Sequence, residues 1–122
     1  MDNPLAELWQ SSNDLNKRFG IDPLEQDSVK IFMEECKELI TAYFNYNAMF
    51  DGDTLDALNT NMVDEFADVL VTAIQMTLAR GLTMYDLRKG IERTVRKNNA
   101  KTHETHELDA ETRKIRRKAP KS

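Results

Sequence analysis

The sequence is poor in the residues that build disulfide-rich, β-rich and membrane-spanning proteins. Cys36 is its only cysteine, so the chain can form neither an internal disulfide nor a zinc site built from cysteines. Four glycines and three prolines are too few for a β-sandwich with many turns. The longest apolar-rich run has 11 residues, at positions 69–79, whereas a bilayer-spanning helix needs about 20. With no basic start followed by an apolar stretch, the chain is expected to be cytoplasmic and to have no membrane span.

Charge is distributed unevenly along the 122 residues, although the net charge is only −4. Residues 1–87 hold 5 Lys and Arg against 16 Asp and Glu, whereas residues 88–122 hold 12 against 5. Apolar positions become rare after Lys101, where polar and basic residues dominate. The pattern predicts one domain over residues 1–102, followed by a basic C-terminal tail or arm over residues 103–122.

Capping signals divide the body of the chain into four predicted helices. A polar cap followed by proline stands at Asn3-Pro4 and again at Asp22-Pro23. Glycine marks two helix ends, at Gly20 and Gly81. The predicted helices run from Pro4 to Gly20 with an interruption around residues 11–13, from Pro23 to about Met49, from a cap at Asp53 or Thr54 to Gly81, and from a cap at Thr83 to about Asn99.

The second and third predicted helices are each longer than 20 residues and are joined by a short turn, which is typical of an antiparallel helical hairpin. The predicted fold class is therefore all-α, a four-helix bundle with a long central hairpin. The third helix carries apolar side chains in nearly every direction between Met62 and Ala79, so it should be buried all round and should require a partner subunit. On the second helix, one stripe is expected to face the core: Val29, Phe32, Cys36, Leu39, Ile40 and Tyr43.

Two clusters of carboxylates stand on the predicted hairpin. Glu38 lies 14 residues before Gly52 and Glu65 lies 13 after it, so the clusters should be level across the hairpin. Clustered carboxylates offer the all-oxygen cage that Mg²⁺ and Mn²⁺ prefer. A lone cluster on one helix is typical of a solvated face, but the second, level cluster on an apolar helix favours a metal site. The clusters are Glu34, Glu35 and Glu38 on the second helix, and Glu65 and Asp68 on the third.

A di-iron site is not expected, because such sites in helical bundles require Glu-x-x-His pairs on the helices. Both histidines, His103 and His106, lie in the C-terminal segment instead.

The pattern of these carboxylates resembles the MazG-like superfamily of all-α nucleoside triphosphate pyrophosphatases, whose mark is EExxE, a spacer and ExxD. The mark reads EECKE at residues 34–38 and EFAD at residues 65–68. The resemblance covers about residues 24–102, since the fourth helix ends in VRKNNAK at residues 95–101, similar to phage-type members. It implies hydrolysis of a nucleoside triphosphate to the monophosphate and pyrophosphate, with two or more Mg²⁺ or Mn²⁺ ions per site, in a homodimer or homotetramer.

The resemblance also implies roles for individual residues. Four carboxylates, Glu35, Glu38, Glu65 and Asp68, would be metal ligands, and Glu34 would be a ligand of a further ion or the base that orients water. Phosphate contacts from the fourth helix would come from Lys97, Lys101, Arg93, Arg96 and either Asn99 or Asn98, with Asn99 preferred. Cations near a helix C-terminus also favour the helix dipole without any ligand.

The base pocket is the less constrained part of the implied site. In relatives the N-terminal helix helps to line it, which makes Trp9, Asn13, Asn16 and Phe19 candidates beside the alternative of ordinary core or surface positions. Asp14 could accept hydrogen bonds from the guanine edge, so dGTP is the favoured substrate, with pyrimidine triphosphates still open.

The basic run at residues 113–118 is interpreted as a solvated terminus or an arm that crosses a partner subunit. Nucleic acid is not the expected partner, because the acidic body would repel a duplex and no groove-reading helix precedes the run. Two other functions fit the same carboxylates. One is phosphoribosyl-ATP pyrophosphatase, and the other is a helical oligomer that binds a divalent metal without catalysis.

Overall fold

A computed structural model describes residues 3–45 and 54–120 of the chain. Its described part is mostly helical, as predicted, and none of its helices is both long and apolar enough to cross a membrane. By its internal contacts the chain divides into two compact units, Met1–Met84 and Tyr85–Ser122. The elements are α1 (Pro4–Phe19), α2 (Ser28–Tyr43), α3 (Leu55–Ala79), α4 (Met84–Asn99), β1 (His106–Leu108) and β2 (Ile115–Arg117).

Helix α1 begins and ends as its capping signals predict. The Asn3 side chain accepts a hydrogen bond from the Ala6 N–H at 3.1 Å, and Gly20 ends the helix in the left-handed region at φ 65°. The predicted interruption around residues 11–13 is wrong, because α1 is continuous there. Ser12 is buried, and its hydroxyl donates to the Leu8 carbonyl at 2.8 Å, so its hydrogen-bond partner lies within the helix.

Helix α2 is shorter than predicted at both ends. Asp22 does not cap it, because its carboxylate accepts from the Leu24 N–H at 2.9 Å within a turn, and Asp27 caps the helix by accepting from the Lys30 N–H at 3.1 Å. The helix ends at Tyr43, so the predicted continuation is wrong over residues 44 and 45. The remainder of that continuation, to Met49, lies outside the described residues.

The predicted bounds of α3 and α4 are confirmed. Thr54 caps α3 by accepting from the Ala57 N–H at 3.1 Å, whereas the alternative cap, Asp53, lies outside the described residues. After α3, Gly81 has φ 71°, the left-handed conformation that favours glycine. Helix α4 then starts at Met84, directly after Thr83, and runs to Asn99.

The first unit is built on α3, against which both α2 and α1 pack. Helices α2 and α3 run antiparallel, because Val29 and Ala79 line one cavity at one end of the pair, while Ala42 and Asn61 line another at the other end. Among the described residues the buried set is small and mixed: its apolar members are Trp9 and Ile74, and its polar members are Ser12, Asn16, Ser28 and Thr72.

Two predictions about the core are wrong for the isolated chain. On α2, the stripe expected to face the core is partly exposed, since Val29, Ile40 and Tyr43 are each more than half exposed. On α3, which was expected to be buried all round, Val63 is 58% and Phe66 53% exposed. The reason is that α1 and α2 cover one side of α3, which leaves apolar side chains on other sides of α2 and α3 exposed.

The second unit contains a β-hairpin that the sequence analysis does not predict. Strands β1 and β2 pair antiparallel, with His106 opposite Arg117 and Leu108 opposite Ile115. Asp109 holds the turn, and hydrogen bonds from the backbone N–H groups of Thr112 and Glu111 keep the pKa of its carboxyl below the ordinary value of 3.8. Part of the basic run is therefore structured: the Arg116 guanidinium lies 3.0 Å from an Asp109 carboxylate oxygen.

A reciprocal amide pair ties α1 to α3 and is expected to contribute measurably to stability. The Asn16 amide N–H donates to Gln75 Oε1 at 2.8 Å, and the Gln75 amide N–H donates to Asn16 Oδ1 at 3.1 Å. Asn16→Ala should lower the free energy of unfolding by about 1–3 kcal/mol, because it leaves the largely buried Gln75 amide without its partner. Equilibrium urea unfolding measures this change.

The control is Asn13→Ala, one helical turn earlier on α1, which should change the free energy of unfolding by less than about 0.5 kcal/mol. Gln75→Ala and the double variant complete a cycle in which the double loss is smaller than the two single losses added. Additive losses would mean that the amides do not stabilise each other.

Candidate metal centre

A stripe of polar residues follows the side of α3 that faces the other helices of the first unit. Its members repeat at alternating intervals of four and three residues, so they share one helix face. A matching stripe on α2 lines the same two cavities, at intervals of three and four. The α3 stripe is Asn61, Glu65, Asp68, Thr72 and Gln75, and the α2 stripe is Ser28, Ile31, Glu35, Glu38, Ala42 and Asn45.

Three carboxylates meet where the two stripes face each other. Glu35 and Glu38 from α2 and Glu65 from α3 each present one oxygen, and all three oxygens lie within 4.8 Å of one another. Two oxygens on opposite sides of an ion are about 4.0–4.2 Å apart for Mg²⁺ and about 4.6–5.2 Å apart for Ca²⁺. The three side chains, hereafter the carboxylate triad, are therefore spaced closely enough to bind one such ion together.

The electrostatics of the triad are unfavourable without a cation. Burial raises the pKa of Glu35 above its ordinary value of 4.5, and the charge of Glu38 and a hydrogen bond with it add to the rise. The pKa of Glu65 is raised by burial and by the charges of Glu38 and Asp68. One oxygen of Glu35 and one of Glu65 are buried and have no hydrogen-bond partner among the residues that the structure describes. These carboxylate oxygens have like charges beside them, and two of them accept no hydrogen bond. Such oxygens fit a hard divalent cation.

On one side of the triad lies a cavity of about 500 Å³, hereafter the acidic cavity. Three carboxylates, those of Glu34, Glu38 and Glu65, line this cavity. Lys37 and Asn61 add an ammonium group and an amide to its lining. Its full lining is Glu34, Lys37, Glu38, Thr41, Ala42, Asn45, Asn61 and Glu65.

On the other side lies a smaller cavity of about 320 Å³, hereafter the amide cavity. Glu35 and Asp68 line it, so both helices supply carboxylates to both cavities. Its full lining is Leu15, Asn16, Ile21, Gln26, Ser28, Ile31, Glu35, Asp68, Val71, Thr72 and Gln75.

The structure places the five predicted carboxylates in two groups. Glu35, Glu38 and Glu65 form the triad, whereas Asp68 and Glu34 do not belong to it. Asp68 is exposed and lies one helical turn from Glu65, near enough for its charge to raise the pKa of both Glu35 and Glu65. Glu34 is exposed and lines the acidic cavity.

The predicted base-pocket residues on α1 are separated by the structure. Asn16 lines the amide cavity, but Trp9, Asn13 and Asp14 line neither of the two cavities beside the triad. Trp9 is buried in the core, and Asp14 is exposed and accepts a hydrogen bond from the Gln10 amide at 2.8 Å. Phe19 is 69% exposed at the end of α1.

The predicted phosphate-binding residues belong to the second unit and stay a prediction. Lys101 Nζ donates to Asn98 Oδ1 at 3.2 Å, so this lysine is held near the end of α4. Lys101 is half-buried. The other predicted phosphate-binding residues are exposed: Arg93, Arg96, Lys97, Asn98 and Asn99.

Several polar residues that line the two cavities were not predicted from the sequence. Gln26, Thr72 and Gln75 line the amide cavity, and Lys37 and Asn61 line the acidic cavity. A signal for the α3 residues was available, since five polar side chains recur at heptad spacing along one face of the helix. No comparable signal marks Gln26, which lies in the turn segment before α2.

Comparison with known proteins adds no relative to this description. No protein-family model, no curated protein and no solved structure matched the chain.

Proposed function

We propose that this chain is a divalent-metal-dependent nucleoside triphosphate pyrophosphohydrolase of the MazG-like kind. The observation that carries the proposal is the carboxylate triad, whose three oxygens from two antiparallel helices lie within 4.8 Å of one another. The neighbouring cavities support it, because one is open and polar enough for phosphates and the other is smaller and partly apolar. The ions would be Mg²⁺ or Mn²⁺, which prefer all-oxygen ligand sets.

In this proposal the triad holds the metal, and the acidic cavity holds the triphosphate. The bound metal supplies neutralisation of phosphate charge and polarisation of the attacked phosphorus. Lys37 adds an ammonium group for a phosphate oxygen. Water attacks the α-phosphorus, and the bond from that phosphorus to the oxygen shared with the β-phosphate breaks, so pyrophosphate leaves. The Glu34 carboxylate accepts the proton of the attacking water.

The proposal is tested by the products released from a panel of dNTPs and NTPs with Mg²⁺ or Mn²⁺. Pyrophosphate together with the monophosphate is expected, with dGTP included as the substrate favoured from the sequence. Release of inorganic phosphate would contradict the proposal. Activity on phosphoribosyl-ATP alone would assign the chain to the related pyrophosphatase, and metal binding with no triphosphate consumed would leave a non-catalytic scaffold.

We also propose that the chain works as a homodimer or homotetramer. Hairpin α2–α3 places carboxylates on its inner side and leaves apolar side chains on its outer side, among them Ile40 at 58% and Phe66 at 53% exposure. Large apolar side chains exposed in such number are typical of a contact with another protein chain.

Light scattering after gel filtration is expected to give at least twice the chain mass of 14.1 kDa. Phe66→Glu and Ile40→Glu should shift the protein to monomer, because each puts a charge into the apolar contact. Leu24→Glu is the matched control, since Leu24 is 69% exposed but lies in the turn before α2. A monomeric wild-type protein would contradict this part of the proposal.

A further inference from the structure

An apolar groove lies in the first unit, at the end of the α2–α3 pair where α2 begins and α3 ends. Its volume is about 670 Å³, and along α3 it extends from Ala73 to Ala79, about 9 Å of helix. Val29 and Leu82 in its lining are 57% and 46% exposed, so apolar surface is in contact with water there. Such surface indicates a contact with a further molecule. The apolar lining is Val29, Phe32, Ala73, Met76, Ala79 and Leu82.

Helix α4 of the second unit carries a narrow apolar stripe. Leu87, Ile91 and Val95 recur at intervals of four residues, so they share one face over about 12 Å of helix. Ile91 is 41% and Val95 is 50% exposed in the single chain. Aliphatic anchors at this spacing are typical of an amphipathic helix that binds in an apolar groove. The stripe and the groove therefore match in chemistry and are similar in length.

The charges beside the two surfaces are complementary. Asp27 and Arg80 line the groove next to its apolar residues. Arg88 and Glu92 are four residues apart along one edge of the stripe on α4. Glu92 lies 3.3 Å from Lys89 Nζ, but its side chain is 41% exposed and has room for a second cation. A helix bound in the groove therefore offers a guanidinium to Asp27 and a carboxylate to Arg80, which an uncharged apolar ligand does not.

We infer that the apolar groove binds helix α4 of a second copy of this chain, with Leu87, Ile91 and Val95 as the buried anchors. In two copies related by a two-fold axis, each α4 fills the groove of the other, so the contact is reciprocal and closed. The inference goes beyond the proposed chemistry and does not depend on it. It also concerns a surface other than the outer side of the hairpin, where Ile40 and Phe66 lie.

The test uses the full chain and two charge reversals, with the dissociation constant of self-association measured by sedimentation velocity. Arg80→Glu sets a carboxylate against Glu92, and Glu92→Arg sets a cation against Arg80. Each reversal should raise the dissociation constant by about 10-fold or more, because like charges then meet at the contact. An equimolar mixture of the two variants should return it to within about threefold of wild type, since opposite charges meet again at both contacts of the mixed pair.

Three further variants complete the experiment. Ile91→Asp should raise the dissociation constant by about 100-fold or more, because it buries an unpaired charge in the groove. The matched controls are Arg18→Glu on α1 and Glu111→Arg in the hairpin turn, two exposed charges that belong to neither surface. Both controls should stay within about twofold of wild type. Circular dichroism verifies that each variant is folded.

Recovery in the mixture requires a contact between copies, because a contact within one chain always joins charges of the same variant. Recovery only when Arg80→Glu and Glu92→Arg are combined in one chain, and not in the mixture, would overturn the inference, since α4 would then bind the groove of its own chain. Unchanged association of both single variants would overturn it as well, because another occupant would then cover the groove. The measured quantity is association, so no outcome depends on whether a triphosphate is hydrolysed.

Discussion

Glu38→Gln is expected to lower kcat/KM for pyrophosphate release by about 100-fold or more. Glu38 is the central member of the triad, since it hydrogen-bonds with Glu35 and raises the pKa of both Glu35 and Glu65. Its amide replacement keeps the shape but removes one negative charge and one ligand oxygen. Metal ions contribute several kcal/mol of charge stabilisation to such reactions, and each 1.36 kcal/mol is tenfold in rate.

Initial rates with dNTPs at saturating Mg²⁺ measure this loss. Asp64→Asn is the matched control, because Asp64 is an exposed neighbour of Glu65 that does not belong to the triad. The control should retain activity within about twofold of wild type. Equal activity of Glu38→Gln and wild type would exclude the triad as the reaction centre, whatever the product.

The second large effect concerns the pH dependence of thermal stability, which a bound divalent metal is expected to reverse. Glu35 and Glu65 have pKa values raised above 4.5 in the folded chain, first of all by burial. Each therefore binds its proton more tightly when folded, so the stability it contributes is complete below pH 4.5 and is lost as the pH rises through the raised pKa. Without divalent cations, the melting temperature should fall as the pH rises through that window to 7.

Adding Mg²⁺ or Mn²⁺ at pH 7 should restore stability, because the cation replaces the missing proton as the partner of the carboxylates. A ligand at 100 times its dissociation constant stabilises the folded state by about 2.7 kcal/mol, which raises the melting temperature of a domain this size by roughly 10 °C. Differential scanning fluorimetry with and without metal measures both effects.

Glu65→Gln provides the decisive variant for this prediction. It should melt at a higher temperature than wild type at pH 7 without metal, because one of the repelling charges is gone. It should also lose most of the stabilisation by metal, whereas Glu25→Gln, at an exposed carboxylate in the turn segment before α2, should behave as wild type does. A variant that is less stable than wild type without metal would show that the cluster is not electrostatically strained.

Local signals in the sequence predicted the helices where a single short-range interaction decides the boundary. Asn3, Thr54 and Gly20 cap their helices as expected, because a side-chain oxygen or a left-handed glycine needs only its nearest neighbours. The helix start predicted at Asp22 is wrong for the same reason. Its carboxylate accepts a hydrogen bond from a backbone N–H in a turn as readily as at the start of a helix.

The level placement of the two carboxylate clusters was also predictable, since residue counts on either side of one turn fix which parts of a hairpin meet. That reasoning anticipated that Glu35, Glu38 and Glu65 would come together, as they do. It did not separate them from Asp68 and Glu34, because the direction of each side chain depends on how the helices pack.

The sequence by itself determined a mostly helical chain whose two antiparallel helices bring acidic side chains level with each other. Only the tertiary structure decided which face of each helix is inside: the two stripes that carry the carboxylates meet, and apolar residues such as Ile40 and Phe66 lie outside. A helical wheel shows two faces but not which one meets the partner helix. That choice depends on long-range packing, which also brings Gln26 from the turn segment beside Asn16 and Asp68.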